Sequence, residues 1–191
     1  IDLNNPREST FDESFGISEK FRQQKKRTLR PQSRSFGNVF IYVEGTYFIQ
    51  GHPSAGLEDI YNIYVSSGVE EIQRRVEGLF FVYIHDRDKH HHFLLNNRYQ
   101  LTHLYYTTVG GQLIFSDRLQ SVLSVMPSVS PHFPSIANFL ANGFNVSDQT
   151  QVADVKKLLP TYRIEVKGKG FELHHFWPEQ ITFERKPFKN L

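Results

Sequence analysis

The chain of 191 residues contains no cysteine, a single methionine and a single tryptophan. The absence of cysteine excludes disulfides, zinc–thiolate sites and thiol catalysis by these residues. No apolar run approaches the roughly 20 residues that a membrane-spanning helix requires, and the first residues show no signal-peptide pattern. We therefore expect a cytoplasmic protein without a membrane segment.

Aromatic residues are abundant by contrast, with 17 Phe and 9 Tyr, and most occur in short alternating runs. This pattern favours a sheet-rich core. A composition of 39% hydrophobic and 22% charged residues is ordinary for one globular domain. We expect a polar and basic N-terminal arm over residues 1–36, a folded domain over 37–177, and a C-terminal linker or tail over 178–191.

Positive charge is concentrated in the N-terminal arm, although the whole chain carries only +2. Such a segment could neutralise the phosphates of nucleic acid or anionic lipid. No nucleic-acid-binding motif accompanies it, so we expect a solvated helix and loop, and nucleic acid is not an expected partner. The basic residues that follow Glu19 are Lys20, Arg22, Lys25, Lys26, Arg27, Arg30 and Arg34.

From residue 38 onward, apolar patterns alternate with turn signals. Residues 39–43 and 47–49 predict two strands joined by a turn over 44–46. Three-to-four spacing predicts helices over 57–66 and 69–76, separated by Gly68. The remaining predicted strands cover 79–84, 92–95, 104–108, 112–115, 162–166 and 171–176, with helices over 117–125 and 134–143. This order predicts an α+β fold with mainly antiparallel sheets.

Two groups of adjacent histidines, His90–His92 and His174–His175, raise the question of a metal site. Adjacent residues on a strand point to opposite faces of the sheet. We therefore expect packed or exposed histidines rather than ligands that converge on one ion, and neither a metal nor another cofactor is expected.

Several segments from residue 77 onward keep a fixed order and spacing. Residues 77–86 read E-G-L-F-F-V-Y-I-H-D, residues 104–106 read L-Y-Y, residues 113–116 read L-I-F-S, and V-K-K-L-L-P at 155–160 precedes a closing F-W. This order resembles the glutamine amidotransferase domain at the N-terminus of asparagine synthetases, with its G-M-F-A-F-A-x-x-D strand, D-R-x-G-x-x-P-L-Y-Y and I-x-x-L-P-P-G segments. The resemblance covers residues 39–177 and implies an Ntn-hydrolase-like sandwich of two mainly antiparallel sheets between helical layers.

The resemblance also shows which catalytic parts to look for. In that family an N-terminal cysteine attacks the side-chain amide of glutamine, with its own α-amine as base. This chain begins with Ile1 and has no cysteine, so we expect no catalytic residue in it. The family holds the developing oxyanion with an Asn side chain and a Gly N–H. Glu44 and Gly45 stand at the matching place, and a carboxylate there would repel an oxyanion.

Other binding residues of the family are absent or cannot be placed. The family's Asp that binds the substrate ammonium falls near Gly56, and no early Arg aligns. Glu44, Gly45 and Thr46 remain the best candidates for lining a vestigial substrate cleft. Arg98 is a further candidate, because Asn97 and Arg98 occupy the family's D-R position, where tying the strand end is the simpler role.

Three functions remain open. The first is an inactive amidotransferase-like domain that supports an ATP-dependent synthetase domain or subunit, in the same polypeptide or a separate one. The chain lacks the S-G-G-x-D-S loop with which that partner binds pyrophosphate. The second is a glutamine-hydrolysing domain whose cysteine lies outside this chain. The third is a binding module whose basic arm engages an anionic partner. The sequence leaves the oligomeric state open, a homo-oligomer included.

Overall fold

The computed structural model describes residues 31–49, 52, 55–99, 103–168 and 170–176. They form two antiparallel sheets and four helices, which confirms the predicted α+β fold. The elements are β1 (Gln32–Phe36), β2 (Val39–Ile49), α1 (Leu57–Ser67), α2 (Val69–Arg75), β3 (Val76–Asp86), β4 (His91–Asn96), β5 (Tyr105–Val109), β6 (Gln112–Ser116), α3 (Leu119–Leu123), α4 (Phe133–Asn142), β7 (Lys156–Lys157), β8 (Tyr162–Lys167) and β9 (Gly170–His175).

The larger sheet has six strands in the order β1-β2-β3-β4-β8-β9, and the smaller has three in the order β6-β5-β7. Strands β8 and β9 join the first sheet only after the chain has made the second. The turn between β5 and β6 is formed by Gly110 and Gly111, both with positive φ, as the sequence predicts.

One face of the six-stranded sheet is covered by α1 and α2, and we call it the helix side. Alternate residues of each strand point to this face. They form a core with the apolar residues of the two helices, among them Ile41, Val82 and Leu95 from the strands and Ile60 and Ile72 from the helices. Gly68 separates α1 from α2, as the sequence predicts.

The opposite face, which we call the inner face, packs against the three-stranded sheet. Phe81, Tyr83 and Ile164 from the six-stranded sheet meet Leu104 and Tyr106 in a second core. Helix α3 contacts β5 and β6 on the smaller sheet. Helices therefore accompany both sheets, in agreement with the predicted sandwich.

One predicted turn is wrong. The turn expected over residues 44–46 does not form, because β2 runs without interruption from Val39 to Ile49 and pairs with β3 along its whole length. Gly45 lies opposite Phe80 with φ +114°, so the glycine permits a close approach of two strands rather than a reversal. A Glu-Gly-Thr sequence alone does not distinguish these two uses of glycine.

The structure also adds two strands that the sequence did not predict. Strand β1 lies within the segment expected to be the N-terminal arm, and it pairs with β2 across a turn at Gly37. Strand β7 contains only two lysines and pairs with β5. Most of the basic segment and the 178–191 tail lie outside the described residues. Within the described part of the chain, no helix is both long and apolar enough to span a membrane.

Candidate functional site

The residues that the sequence resemblance places at an oxyanion position, Glu44 and Gly45, lie in the middle of β2. The side chains of Tyr42 and Glu44 project from the inner face, since the alternating residues Ile41 and Val43 are buried on the helix side. Beyond them, Thr46 and Phe48 on β2 and Leu79 on β3 are exposed. Glu44 therefore lies where the inter-sheet core gives way to an open surface of the same strands.

Glu44 is held by its neighbour on the same strand. The hydroxyl of Tyr42 donates a hydrogen bond of 2.9 Å to Glu44 Oε2. The ring of Tyr42 packs against Phe81, with 5.8 Å between ring centroids. Tyr42 thereby connects the carboxylate to the inter-sheet core, and its hydroxyl orients one carboxylate oxygen.

Glu44 begins a row of side chains that crosses the sheet. Glu44 is the register partner of Phe81, and Phe81 is the register partner of Asn96 on β4. Asn96 is buried, and its side-chain amide donates to the carbonyl of Leu158 at 3.1 Å. This inner-face row, Glu44–Phe81–Asn96, presents a carboxylate and a carboxamide on either side of an aromatic ring. Sequence reasoning missed Asn96, although its position at the end of an apolar strand was a usable signal.

Asn97 holds the same end of β4 through hydrogen bonds with β3 and with the residues that follow β4. Its side-chain nitrogen donates to the carbonyl of Phe80 at 3.3 Å, and its side-chain oxygen accepts from the backbone of Tyr99 at 3.0 Å. The backbone N–H of Asn97 in turn donates to the side-chain oxygen of Asn96 at 2.9 Å. The two asparagines therefore form a polar junction between β3, β4 and the segment before β8.

Gly45 and Gly78 lie diagonally opposite each other where β2 and β3 come closest. A Cβ atom at Gly45 would lie 2.0 Å from the carbonyl oxygen of Leu79, and one at Gly78 would lie 2.3 Å from that of Thr46. Both glycines have φ values, +114° and +129°, that residues with side chains rarely adopt. The backbone beside Glu44 is therefore fixed by steric contact.

Arg98 lies in a different part of the fold from Glu44. Its guanidinium donates to the carbonyls of Gln73, at 3.4 Å, and Arg74 at the C-terminal end of α2. A cation at this end of a helix satisfies free carbonyls and interacts favourably with the helix dipole. The structure thus brings Glu44, Gly45 and Thr46 together, while Arg98 reaches the helix side.

A carboxylate lies one turn after Gly56, the residue near which the sequence resemblance places an ammonium-binding Asp. Asp59 accepts a hydrogen bond of 2.8 Å from the backbone N–H of Gly56 at the start of α1. It also lines a cavity of about 160 Å³ together with Arg75 and Asn62. Because α1 covers the helix side, Asp59 caps its own helix and does not complete the inner-face row.

The histidine pairs alternate across the sheet, as the sequence predicts. His92 is on the inner face, where its Nδ1 lies 2.9 Å from the hydroxyl of Tyr83 and its ring stacks on His85 with 4.1 Å between centroids. His91 is on the helix side, with Nδ1 4.0 Å from Glu165. Among the described residues, no group of three or more His, Cys, Asp or Glu side chains is arranged to hold a metal.

His174 and His175 of β9 also point to opposite faces. His174 Nε2 lies 3.3 Å from a carboxylate oxygen of Glu165 and 3.2 Å from one of Glu172. His175 Nε2 lies 2.9 Å from the hydroxyl of Thr161. Both histidines thus take part in packing and polar contacts of the sheet edge.

Asp86, which ends β3, is a structural carboxylate. Tyr64 from α1 donates to it at 2.7 Å, and Lys89 forms an ion pair with it at 3.0 Å. Burial alone would raise the pKa of Asp86, but the hydrogen bonds from Tyr64 and Lys89 lower it below its usual value. The same burial and the neighbouring carboxylate raise the pKa of Tyr64. The pair joins α1 to the turn between β3 and β4.

Comparison with known families agrees with this architecture. A family model described as a glutamine amidotransferase domain matches residues 52–177, about two thirds of the chain. The chain belongs to this family. A search of curated proteins found no match. The matched part of the amidotransferase domain starts after β2, so membership rests on the helix pair and the strands that follow and is independent of the residues at 44–46.

The inner-face row of this amidotransferase domain has a defined chemical preference. A carboxylate attracts hydrogen-bond donors and cations, and two like charges about 4 Å apart repel by roughly 4 kcal/mol near a protein surface. An oxyanion needs donors at this place. Glu44 offers acceptors instead, so the row favours an amine or another donor group over a developing oxyanion.

Proposed function

We propose that this amidotransferase domain does not hydrolyse glutamine and instead supports an ATP-dependent, amide-forming synthetase of the asparagine synthetase type, in cis or in trans. The observation that carries the proposal is the carboxylate of Glu44 on the inner face of β2, at a residue that the sequence resemblance aligns with the family's oxyanion position. Its carboxylate opposes the charge that acyl transfer from glutamine would develop there.

The contacts around Glu44 support the proposed lack of glutamine hydrolysis. Tyr42 donates to the carboxylate and thus stabilises it in place. Gly45 and Gly78 hold the two strands in contact, so the backbone has little freedom to move Glu44 away. Gly56 provides no carboxylate for the substrate ammonium, and Asp59 is engaged with the start of α1. The proposed departure from the family's site thus includes a binding position as well as the oxyanion position.

We infer a partner synthetase because, in the family, the ammonia released from glutamine is used by a second domain. The family domain makes ammonia for a second domain that activates a carboxylate, and this chain contains no S-G-G-x-D-S loop for that step. A domain that no longer produces ammonia can still contribute a folded surface against which a synthetase packs. Such a synthetase would take its amine from solution or from the substrate itself.

The proposal is tested by adding a cysteine nucleophile and an oxyanion donor, the two groups for glutamine hydrolysis that this chain does not contain. A variant with Glu44→Asn and a cysteine as its first residue replaces the nucleophile and the oxyanion donor together, and the matched control carries the cysteine alone. We expect neither protein to release ammonia from glutamine, because the ammonium-binding position at Gly56 is also altered. Turnover by the control, which has the cysteine and keeps Glu44, would contradict the proposal.

The synthetase part needs a separate measurement on the natural assembly. We expect ATP-dependent amide formation that proceeds with free amine and is not increased by glutamine. An assembly that depends on glutamine as its nitrogen source would contradict a supporting role.

A second candidate function is a glutamine-hydrolysing domain whose cysteine lies outside the chain. The family match over residues 52–177 favours it, because the amidotransferase scaffold is retained across that range. It requires an oxyanion hole that works with a carboxylate at residue 44. Glutamine hydrolysis by a natural form that begins with cysteine would establish it.

A further inference from the structure

The part of the inner face that lies beyond the inter-sheet core carries two carboxylates. Val76 and Phe80 of β3 are buried on the helix side. The alternate residues Glu77 and Leu79 therefore project from the inner face, in line with Phe81. Together with the side chains of β2 on the same face, they form a surface that we call the acidic end: Glu44, Thr46, Phe48, Glu77 and Leu79.

Both carboxylates of the acidic end keep free acceptor oxygens. Within the described part of the chain, Glu77 forms no hydrogen bond or ion pair, and Glu44 accepts one hydrogen bond, from Tyr42 at Oε2. Leu79 lies between the two carboxylates along β3, and Phe48 lies beside Glu77 as its register partner. Leu79 and Phe48 are 45% and 47% exposed. The acidic end therefore fits a segment that offers cations and apolar side chains together.

Residues 20–30, which we call the basic stretch, have this composition. The basic stretch contains no Asp or Glu, and it includes the apolar residues Phe21 and Leu29. The rest of the chain carries more acidic than basic side chains, so the two signs of charge are separated along the sequence. The cations of the basic stretch are Lys20, Arg22, Lys25, Lys26, Arg27 and Arg30.

The basic stretch joins the fold beside the acidic end. Gln32, the first residue of β1, pairs with Val43, the residue before Glu44. Arg30 is thus two residues along the chain from a point about 4.8 Å from β2. Glu44 and Phe48 are four residues apart on β2, which corresponds to about 13 Å, whereas 11 extended residues span about 36 Å. The basic stretch can therefore reach both carboxylates.

We propose that the basic stretch binds the acidic end of its own inner face, with its cations paired to Glu44 and Glu77. A segment connected so closely to β1 is present at this surface at an effective concentration of about 1 mM, which a basic segment of a separate protein does not have. Each exposed ion pair contributes little, so the contact depends on several cations together and on low ionic strength.

The bound stretch closes the vestigial cleft. It covers Glu44 and Thr46, the candidate cleft residues on β2, and thereby excludes a small substrate from them. The proposal uses only the position and charge of these residues, so it does not depend on whether the domain hydrolyses glutamine.

Carbodiimide crosslinking of the whole chain tests this contact, because the reagent joins a lysine amine to a carboxylate that touches it. At about 0.1 M salt, we expect amide bonds from Lys25 or Lys26 to Glu44 or Glu77, detected by mass spectrometry of the peptides. The ion pair between Lys156 and Asp148, at 3.0 Å, is the internal positive control. At about 1 M salt, where the Debye length is about 3 Å, the crosslinks of the basic stretch should fall at least about fivefold relative to this control.

Three results would overturn the proposal. Absence of these crosslinks while Lys156 reacts with Asp148 would show that another occupant or solvent covers the acidic end. Crosslinks from the basic stretch only to Glu58 or Asp59 of α1 would place it on the helix side. In a mixture of isotope-labelled and unlabelled chains, crosslinks that join the two forms would show binding between molecules instead of within one.

Trypsin cleavage after the basic residues 25–27 measures the same contact without chemical modification. A variant with Glu44→Gln and Glu77→Gln removes both negative charges and retains the side-chain size. Glu172→Gln is the matched control, because it removes an exposed carboxylate from β9 at the other edge of the sheet. We expect the double variant to be cleaved at least about fivefold faster than the parent and the control variant, since cleavage follows the fraction of unbound stretch.

Equal cleavage rates in a double variant that keeps the control crosslink, and is therefore folded, would contradict the proposal. Neither measurement uses glutamine. A failure of this inference is thus distinguishable from a failure of the proposed function, which ammonia release measures.

Discussion

At Gly45 the two long strands approach so closely that the backbone of one occupies the place of a side chain on the other. This contact lies next to Glu44, the residue on which the proposed function depends. The sequence shows a glycine at residue 45 but does not show which structure requires it, because glycine is favoured both in turns and where two strands approach closely. The sequence therefore predicts the carboxylate at residue 44, but it does not predict the close contact between strands next to that residue.

Gly45→Ala should unfold the sheet locally. The new Cβ would collide with the carbonyl oxygen of Leu79, and the residue would keep a φ of +114°. We expect the free energy of unfolding to fall by at least about 2 kcal/mol, measured by urea denaturation. Gly170→Ala is the matched control, since nothing lies within 4 Å of its added Cβ. Equal stability of the two variants would show that β2 and β3 can separate at no cost.

Tyr64→Phe should alter stability in a pH-dependent way. The pKa of Asp86 is lower in the folded state than in the unfolded chain, where it is about 3.9. Its hydrogen bonds therefore contribute stability that is present above about pH 4 and lost as the pH falls through the folded pKa. We expect the variant to lose about 1–2 kcal/mol at pH 7 and to approach the parent in stability below about pH 4.

Thermal unfolding of both proteins between pH 3 and pH 7 measures this difference. Tyr61→Phe is the control, because Tyr61 is on the same helix and stacks on Phe36 with its ring, which the substitution retains. A loss of stability in Tyr64→Phe that is the same at every pH would contradict the assignment to Asp86.

Among the elements, α2 is stabilised by hydrogen bonds from two arginines that are distant from it in the sequence. Arg98 donates to the carbonyls at its C-terminal end, and Arg163 of β8 donates to Gln73 at 3.1 Å and to Glu70 at 2.6 Å. These contacts link the helix to both β4 and β8. A structural role for Arg98 was predicted from the sequence as a tie at the strand end, but its partners at the end of α2 could not be predicted.

Arg98→Ala should destabilise α2 without changing the inner face. We expect a loss of about 1–2 kcal/mol in urea denaturation, because two carbonyls at the helix end lose a charged donor. Arg87→Ala removes the same charge from an exposed turn and should cost less than about 0.5 kcal/mol. An unchanged stability of Arg98→Ala would show that its contacts with α2 contribute nothing.

Most elements could be predicted because their signals are local. Gly68 separates two helices, Gly110 and Gly111 turn a hairpin, and Gly143 ends α4 in the left-handed conformation. Strand β7 could not be predicted, because two lysines have no β pattern and pair only through the position of β5. The inner-face row likewise depends on register between three strands, which no local pattern encodes.

For the whole molecule, the family match and Glu44 lie in different parts of the chain. The amidotransferase match covers residues 52–177, which contain the helix pair and every strand of the two sheets except β1 and β2. Glu44 lies before it, on the strand that borders the open end of the inner face. A scaffold can therefore be retained by packing while its site changes, because stability and catalysis rest on different side chains.

The most direct test of this account is the release of ammonia from glutamine by the natural gene product, with its N-terminal residue established by mass spectrometry. We expect no release above the rate in buffer, because on the proposed assignment Glu44 takes the place of the oxyanion donor. Release of ammonia from a protein that begins with cysteine would contradict the account and would identify the chain as part of a working glutaminase.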